Sequence, residues 1–156
     1  MKKILISTGG SGGHVIPATI LYDHLSKKTE VFISTDKRGY KFLDKGLNNI
    51  EIINTPKLAN IFLLPLNLII ILFLTFKSFF LLKKKNIDYL FSTGGYMSLP
   101  LILAAKILNL NIYLLEPNLV LGRANRMFLK SCKRIFCYTD QIKKFPNKYK
   151  SKLVII

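Results

Sequence analysis

The chain has 156 residues, half of them hydrophobic, a formal net charge of +16 and only two cysteines. That is long enough to bury a core and too apolar for a disordered tail, which excludes the intrinsically disordered classes. Cys132 and Cys137 have no second pair and no metal-like spacing, which favours reduced, partly buried thiols of a cytoplasmic protein over a disulfide between them. The charge directs attention to anionic partners, namely nucleic acid, anionic lipid or phosphorylated substrates, although the abundance of Lys, Ile and Asn is also what a biased codon usage gives. Met1-Lys2-Lys3 leads into a five-residue strand rather than a longer apolar region, so no cleavable signal peptide is expected.

Lys2-Lys3-Ile4-Leu5-Ile6 reads as the first strand, followed by Ser7-Thr8-Gly9-Gly10-Ser11-Gly12-Gly13-His14 and then an amphipathic segment. Strand, tight glycine loop and helix is an arrangement that offers backbone N–H groups to an anion, typically a phosphate. It is not a Walker loop, because no Gly-Lys-Ser/Thr follows. It is not the dinucleotide fingerprint either, because Val15 stands where the third glycine belongs. His14 adds a titratable group at the mouth of that loop. Ile16, Ile20, Leu21 and Leu25 recur at helical spacing and predict a helix over 17–27, with Pro17 in its first turn. Residues 31–35 read as a second strand, 36–46 as a polar connection with a short helix, and 50–53 as a third strand. Apolar runs this continuous predict a parallel sheet covered on both faces.

Residues 58–82 break the rhythm, with Lys77 as their one charge and Lys83, Lys84 and Lys85 directly after. A helix over 65–82 is about 27 Å long, against a bilayer core of about 30 Å. Asn67 and Ser78 share a face, with Asn60 and Thr75 near it, which leaves a narrow polar stripe and a very wide apolar one. Such a helix is a core element, a transmembrane span or a helix lying in the membrane surface. The surface reading is preferred, because a span would interrupt one sheet between its third and fourth strands.

Residues 87–91 resume the sheet and end in a second glycine loop, Ser92-Thr93-Gly94-Gly95-Tyr96. A helix from Pro100 to Leu108, a strand at 112–115 ending in Glu116-Pro117-Asn118, a helix at 124–130 and a strand at 134–138 follow. The chain then turns lysine-rich, and 152–156 reads as the start of another strand, so the sequence looks cut rather than finished. In a doubly wound sheet the loops after the carboxyl ends of the strands meet in one crevice. Singly, Gly94-Gly95 is a turn, Glu116 a solvated carboxylate and Asn118 a helix cap; together they predict a phosphate-ligand cleft.

The series Gly9-Gly10-Ser11-Gly12-Gly13-His14-Val15-Ile16-Pro17, then Ser92-Thr93-Gly94-Gly95-Tyr96-Met97-Ser98-Leu99-Pro100, then Glu116-Pro117-Asn118 with Gly122 and Asn125, resembles the bacterial peptidoglycan N-acetylglucosaminyltransferases of glycosyltransferase family 28. The resemblance runs along the whole chain and implies a Rossmann-like doubly wound parallel sheet, one half of a two-domain GT-B enzyme. It implies that residues 1–156 are the N-terminal, acceptor- and membrane-side domain, without the donor-binding C-terminal domain, which would join in cis or as a subunit. The implied reaction moves GlcNAc with inversion from UDP-GlcNAc to undecaprenyl-pyrophosphoryl-MurNAc-pentapeptide, with no cofactor and no metal.

By the same resemblance His14 is the candidate general base and Glu116 a further catalytic candidate. Ser11, Gly12, Gly13, Gly94, Gly95, Tyr96 and Asn118 would bind substrate; Ser11 replaces the family's threonine and Pro117 its glutamine. Phe73, Phe76, Phe79 and Phe80 with Lys83, Lys84 and Lys85 would dock peripherally on the cytoplasmic face of the inner membrane, joined by Arg123, Arg126, Lys130, Lys133 and Arg134 if these are not simply a solvated face. Two rivals remain: the acceptor-binding subunit of a split lipid-linked-sugar transferase, and a basic nucleic-acid-binding module. The second has no recognition motif, so no nucleic-acid partner is expected.

Overall fold

A computed structural model of the chain describes residues 2–44, 46–47, 49–56 and 62–156. The strands β1 (Lys3–Ser7), β2 (Glu30–Thr35), β3 (Ile50–Ile52), β4 (Tyr89–Ser92), β5 (Asn111–Glu116), β6 (Arg134–Cys137) and β7 (Leu153–Ile155) form one sheet. Its order is β3-β2-β1-β4-β5-β6-β7, and every pairing is parallel. The helices are α1 (Gly12–Leu25), α2 (Leu64–Lys84), α3 (Leu99–Ile107) and α4 (Arg123–Phe128). Strand order reverses between β1 and β4, the point at which a doubly wound sheet opens its ligand crevice. The expected fold class is the observed one.

Side chains alternate across the sheet, so each strand feeds two cores. Ile4, Ile6, Val31 and Ile33 pack with Val15 and Ala18 of α1 on one face. Leu5, Leu90, Ile112 and Leu114 pack on the other with Ile71, Leu82, Leu101, Ile102 and Phe128 from α2, α3 and α4. Cys132 and Cys137 are free and fully buried in this second core rather than partly buried. Burial, and then the charge of nearby Glu116, push the Cys137 thiol up to about 11.

Helix α1 differs from expectation in two ways. It begins at Gly12 rather than residue 17, so Pro17 lies inside it. Past the first turn, Pro17 has no N–H to give the carbonyl of Gly13, so the helix forgoes one bond there. Ile16 and Ile20, expected in the buried stripe, are 57% and 62% exposed. The small Val15 and Ala18 face the sheet instead, which seats the helix closely. Ile20 then borders an apolar groove with Phe91 and Phe136.

Helix α2 is the crossover from β3 to β4. Its buried residues are Asn67, Ile71, Thr75, Ser78 and Leu82, and it packs along α3. Leu66, Leu68, Ile69, Leu72, Phe73, Phe76 and Phe80 are exposed. The polar stripe is thus turned onto the protein and the wide apolar face outward, the reverse of a helix on a water-soluble surface. Thr75 satisfies its hydroxyl within the helix by donating to the carbonyl of Ile71 (2.8 Å), which lets a polar side chain sit at a helix–helix contact. The core-helix expectation therefore holds for one stripe only. By length and composition α2 suffices to cross a membrane, yet it joins two strands of one sheet and leans on α3. Asn60, assigned to the polar stripe, and the rest of 58–61, the start of the apolar stretch, lie outside the described residues.

Both α2 and α3 stop at an asparagine with positive φ, Asn86 (52°) and Asn109 (54°). Ile87 N–H then reaches the carbonyl of Leu82 (3.0 Å), and Leu110 N–H that of Ala105 (2.9 Å). This is the left-handed helix stop with an apolar residue folded back after it. It delivers the chain straight into β4 and β5, and so sets where the two loops beyond them emerge.

Candidate functional site

The first loop follows β1 and the second follows β4, adjacent strands at the switch point. Gly9 (φ 146°), Gly10 (82°), Gly94 (89°) and Gly95 (86°) all have positive φ, open to glycine and strained for other residues. The two loops are tied together. Thr93 donates from Oγ1 to Thr8 Oγ1 (2.8 Å), Thr8 Oγ1 donates to the carbonyl of His14 (2.9 Å), and Thr93 N–H reaches the carbonyl of Ser7 (3.0 Å).

His14 sits in the first turn of α1, half-buried, with Nδ1 at 2.6 Å from the carbonyl of Thr93. A carbonyl only accepts, so Nδ1 carries the proton and Nε2 of the neutral ring keeps its lone pair. The imidazole is thereby fixed with its basic nitrogen away from the second loop's backbone. Ser11 occupies the N-cap position without a capping side-chain bond, and no acidic residue stands in the first turn. Gly12 and Gly13 form that turn, so the helix start is left to an outside acceptor.

The third loop is organised by Glu116, which is 1% exposed. Its Oε1 accepts from the N–H and Nδ2 of Asn118 (3.2 and 3.0 Å), and its Oε2 from Gly122 N–H (2.7 Å) and Asn125 Nδ2 (3.0 Å). Four donors saturate this carboxylate, so the catalytic role considered for it does not fit its surroundings; Glu116 shapes the loop. A Cβ on Gly94 would lie 3.2 Å from Asn125 Nδ2, so the second and third loops are also in contact. Asn125 Oδ1 is buried and, among the described residues, has no hydrogen-bond partner. Asn118 is exposed at the rim, Gly94 is buried, and Tyr96 is half-buried against the large core rather than free in the crevice.

Of the predicted docking residues, Phe73, Phe76 and Phe80 are 67, 64 and 52% exposed, and Lys83 and Lys84 are exposed beside them. Two are corrected. Phe79 is half-buried and packs on the core. Lys85 pairs with Glu51 (3.0 Å) and lies 4.3 Å from the centre of the Phe32 ring, because the chain reverses just after it and turns it back over the sheet.

The residue that sequence reasoning passed over is Asp36, at the end of β2. Its Oδ1 accepts from the N–H of Gly10 (2.9 Å) and of Gly39 (2.8 Å), and its Oδ2 from Arg38 Nε (2.9 Å). Burial pushes this carboxyl up, but the two amides and the guanidinium outweigh it and hold it below its ordinary value near 3.8. With the folded value depressed, the ionised group contributes stability above pH 4 or so and loses it as pH falls further. Urea unfolding should show wild-type stability falling more steeply than that of Asp36→Asn as pH drops from about 5 to about 3, because only the wild type has this depressed carboxyl to protonate. Equal acid sensitivity of the two would remove Asp36 as the anchor of the first loop. Among the described residues no group of three or more His, Cys, Asp or Glu is placed to hold a metal ion.

A seven-stranded parallel sheet, reversed at a crevice lined by two linked glycine loops and a fixed histidine, defines a Rossmann-like domain of the kind paired in GT-B glycosyltransferases. Residues 4–137 match the glycosyltransferase family 28 N-terminal domain, and the chain belongs to that family. It is 56% identical over 156 residues to the UDP-N-acetylglucosamine--N-acetylmuramyl-(pentapeptide) pyrophosphoryl-undecaprenol N-acetylglucosamine transferase of Pelagibacter ubique, covering 99% of this chain and 44% of the relative. The protein of the same description from Rickettsia akari is 34% identical, with 99% and 40% covered. The chain thus spans less than half the length of these relatives. Among solved structures, Acinetobacter baumannii MurG superposes with a TM-score of 0.83 at 24% identity (99% of this chain, 45% of that one). The UDP-GlcNAc 2-epimerase of Neisseria meningitidis bound to UDP-GlcNAc does so at 0.69 and 14% (98% and 46%). These last two likenesses speak for the fold alone.

Proposed function

We propose that the chain is the acceptor-side half of an inverting transferase that moves GlcNAc from UDP-GlcNAc to undecaprenyl-pyrophosphoryl-MurNAc-pentapeptide in peptidoglycan synthesis. The observation that carries this reading is His14, its Nδ1–H held by the carbonyl of Thr93 between the two glycine loops at the switch point. The relatives' description names the same reaction. Nε2 takes the proton of the acceptor sugar's hydroxyl as its oxygen attacks the anomeric carbon of GlcNAc. The bond from that carbon to the UDP oxygen breaks on the opposite face, so the configuration inverts. Ser11, Gly12, Gly13, Gly94, Gly95 and Asn118 line the acceptor side.

A donor-binding domain, in cis or as a separate subunit, supplies the other wall and the UDP-GlcNAc contacts. The outward face of α2, with Lys83 and Lys84, rests peripherally on the cytoplasmic face of the inner membrane, where a lipid-linked acceptor lies. The reaction uses no cofactor. The test is a chimera in which this chain replaces the matching stretch of the Pelagibacter ubique relative. Label from UDP-GlcNAc should pass to the lipid-linked MurNAc-pentapeptide, giving an extractable disaccharide lipid. A folded chimera that makes no such product, beside an active parent, would refute the reading.

A further inference from the structure

We infer that a cavity between the ends of β2 and β3 holds the diphosphate of the lipid-linked acceptor, bound by Lys37, Arg38 and Asn54, with Asp36 as the residue that positions Arg38. This rests on the acceptor reading above and assigns it a subsite. The cavity, about 280 Å³, is lined by Asp36, Lys37, Arg38, Asn54 and Thr55. Its place follows from connectivity. The reacting hydroxyl must sit at His14 and the lipid at the outer face of α2, so the diphosphate that joins sugar to lipid lies between them. Asn54 is shared with a second cavity of about 260 Å³ that opens along α2 at Leu74, Lys77, Ser78 and Leu81. At the other end Arg38 stands over the first glycine loop, where a Cβ on Gly10 would be 3.8 Å from its Nη2. The two cavities together connect the apolar helix to the glycine loop.

The donors are arranged for an anion. Asp36 engages Arg38 through Nε alone (2.9 Å), which locks the plane of the guanidinium and leaves its Nη groups as a fork suited to phosphate. The other oxygen of Asp36 is taken by the amides of Gly10 and Gly39, so its charge is spent inside the protein. Asn54 Oδ1 accepts from the N–H of Lys37 (3.0 Å), which turns the amide's NH₂ the other way. Lys37 adds a second cation. Glu51, the carboxylate of the neighbouring cavity, is paired with Lys85 (3.0 Å). In dinucleotide-binding sheets an acidic residue at the end of the second strand accepts ribose hydroxyls. Here that carboxylate is consumed by its own loop, and the position presents cations instead.

The test is a titration of the ¹⁵N-labelled chain with inorganic pyrophosphate, followed by farnesyl diphosphate and by MurNAc-pentapeptide without phosphate. Pyrophosphate and farnesyl diphosphate should shift the Arg38 Nε and Asn54 side-chain resonances. Arg38→Gln should weaken both at least tenfold, with Arg38→Lys recovering part of the loss. Lys37→Gln, a surface change that leaves the Asp36 bonds intact, should weaken both severalfold. Asp36→Asn should weaken binding in wild type but not further in the Arg38→Gln background, a dependence that a merely structural residue would not show. Unchanged pyrophosphate affinity in both Arg38→Gln and Lys37→Gln overturns the site, and so does the phosphate-free peptide binding there as tightly as pyrophosphate. In the chimera, Arg38→Gln should raise KM for the lipid acceptor at least tenfold with KM for UDP-GlcNAc unchanged. Transfer with an unchanged acceptor KM sinks the subsite alone. Arg38-dependent pyrophosphate binding in a chimera that transfers nothing sinks the acceptor reading instead.

Discussion

His14→Ala in the active chimera is expected to lower kcat by about 10²–10⁴-fold, the usual worth of a positioned general base. Binding of UDP-GlcNAc should change little, because His14 belongs to the acceptor wall. The geometry makes a sharper control available. His14→Gln can still donate to the carbonyl of Thr93, the bond that His14 makes through Nδ1 at 2.6 Å, but it has no basic nitrogen to take a proton. If the ring matters as a base, Gln should be as poor as Ala. If it matters only as a strut between the two loops, Gln should restore most of the rate. A His14→Ala chimera working within about threefold of wild type would take the residue out of the chemistry altogether.

Replacing Phe73, Phe76 and Phe80 together with Asp is expected to abolish sedimentation with vesicles of phosphatidylglycerol and phosphatidylethanolamine, a loss of at least about 100-fold in partitioning. Burying one such ring is worth about 1.5–3 kcal/mol, and all three are more than half exposed on one face. Lys83→Gln and Lys84→Gln should weaken partitioning by about fivefold each, since a basic residue near an anionic surface contributes about 1 kcal/mol. Only the lysine contribution should fade with added salt. The triple variant should keep its thermal stability, because the stripe that packs on the protein, Asn67 to Leu82, is untouched. Vesicle binding that survives the triple change would mean that α2 does not face the lipid.

What the sequence revealed and what it hid divide by the range of the interaction. Continuous apolar runs such as Ile4-Leu5-Ile6 and Ile112-Tyr113-Leu114-Leu115 are local signals, and the parallel sheet follows from them. The glycine loops were equally readable. The tetrapeptide Ser-Thr-Gly-Gly occurs twice, at 7–10 and 92–95, once after each strand of the switch point. That duplication was the available clue to Thr8 and Thr93, whose hydroxyls join the loops. Asp36 gave no such sign, since Arg38 and Gly39 make an ordinary local turn with it and Gly10 reaches it only when β1 and β2 pair. The burial of Glu116 was hidden for the same reason, two of its four donors coming from the turn and helix that follow. Helix α2 left three readings open for a different reason. Its composition announced two faces, but a helical pattern alone cannot say which face meets the rest of the protein.

Helix α2 is also the single connection across the sheet's reversal, from β3 at one edge to β4 beside β1. A surface contacted through α2 is therefore contacted by a helix packed on α3 and on the second core of the sheet whose β1 leads to His14. The height and tilt of His14 above such a surface then follow from how α2 packs on the sheet. An enzyme held this way searches for its acceptor in two dimensions, and only lipids with a headgroup of matching reach bring a hydroxyl to it. Acceptor choice is then partly a measurement of length, made before any side chain reads the sugar.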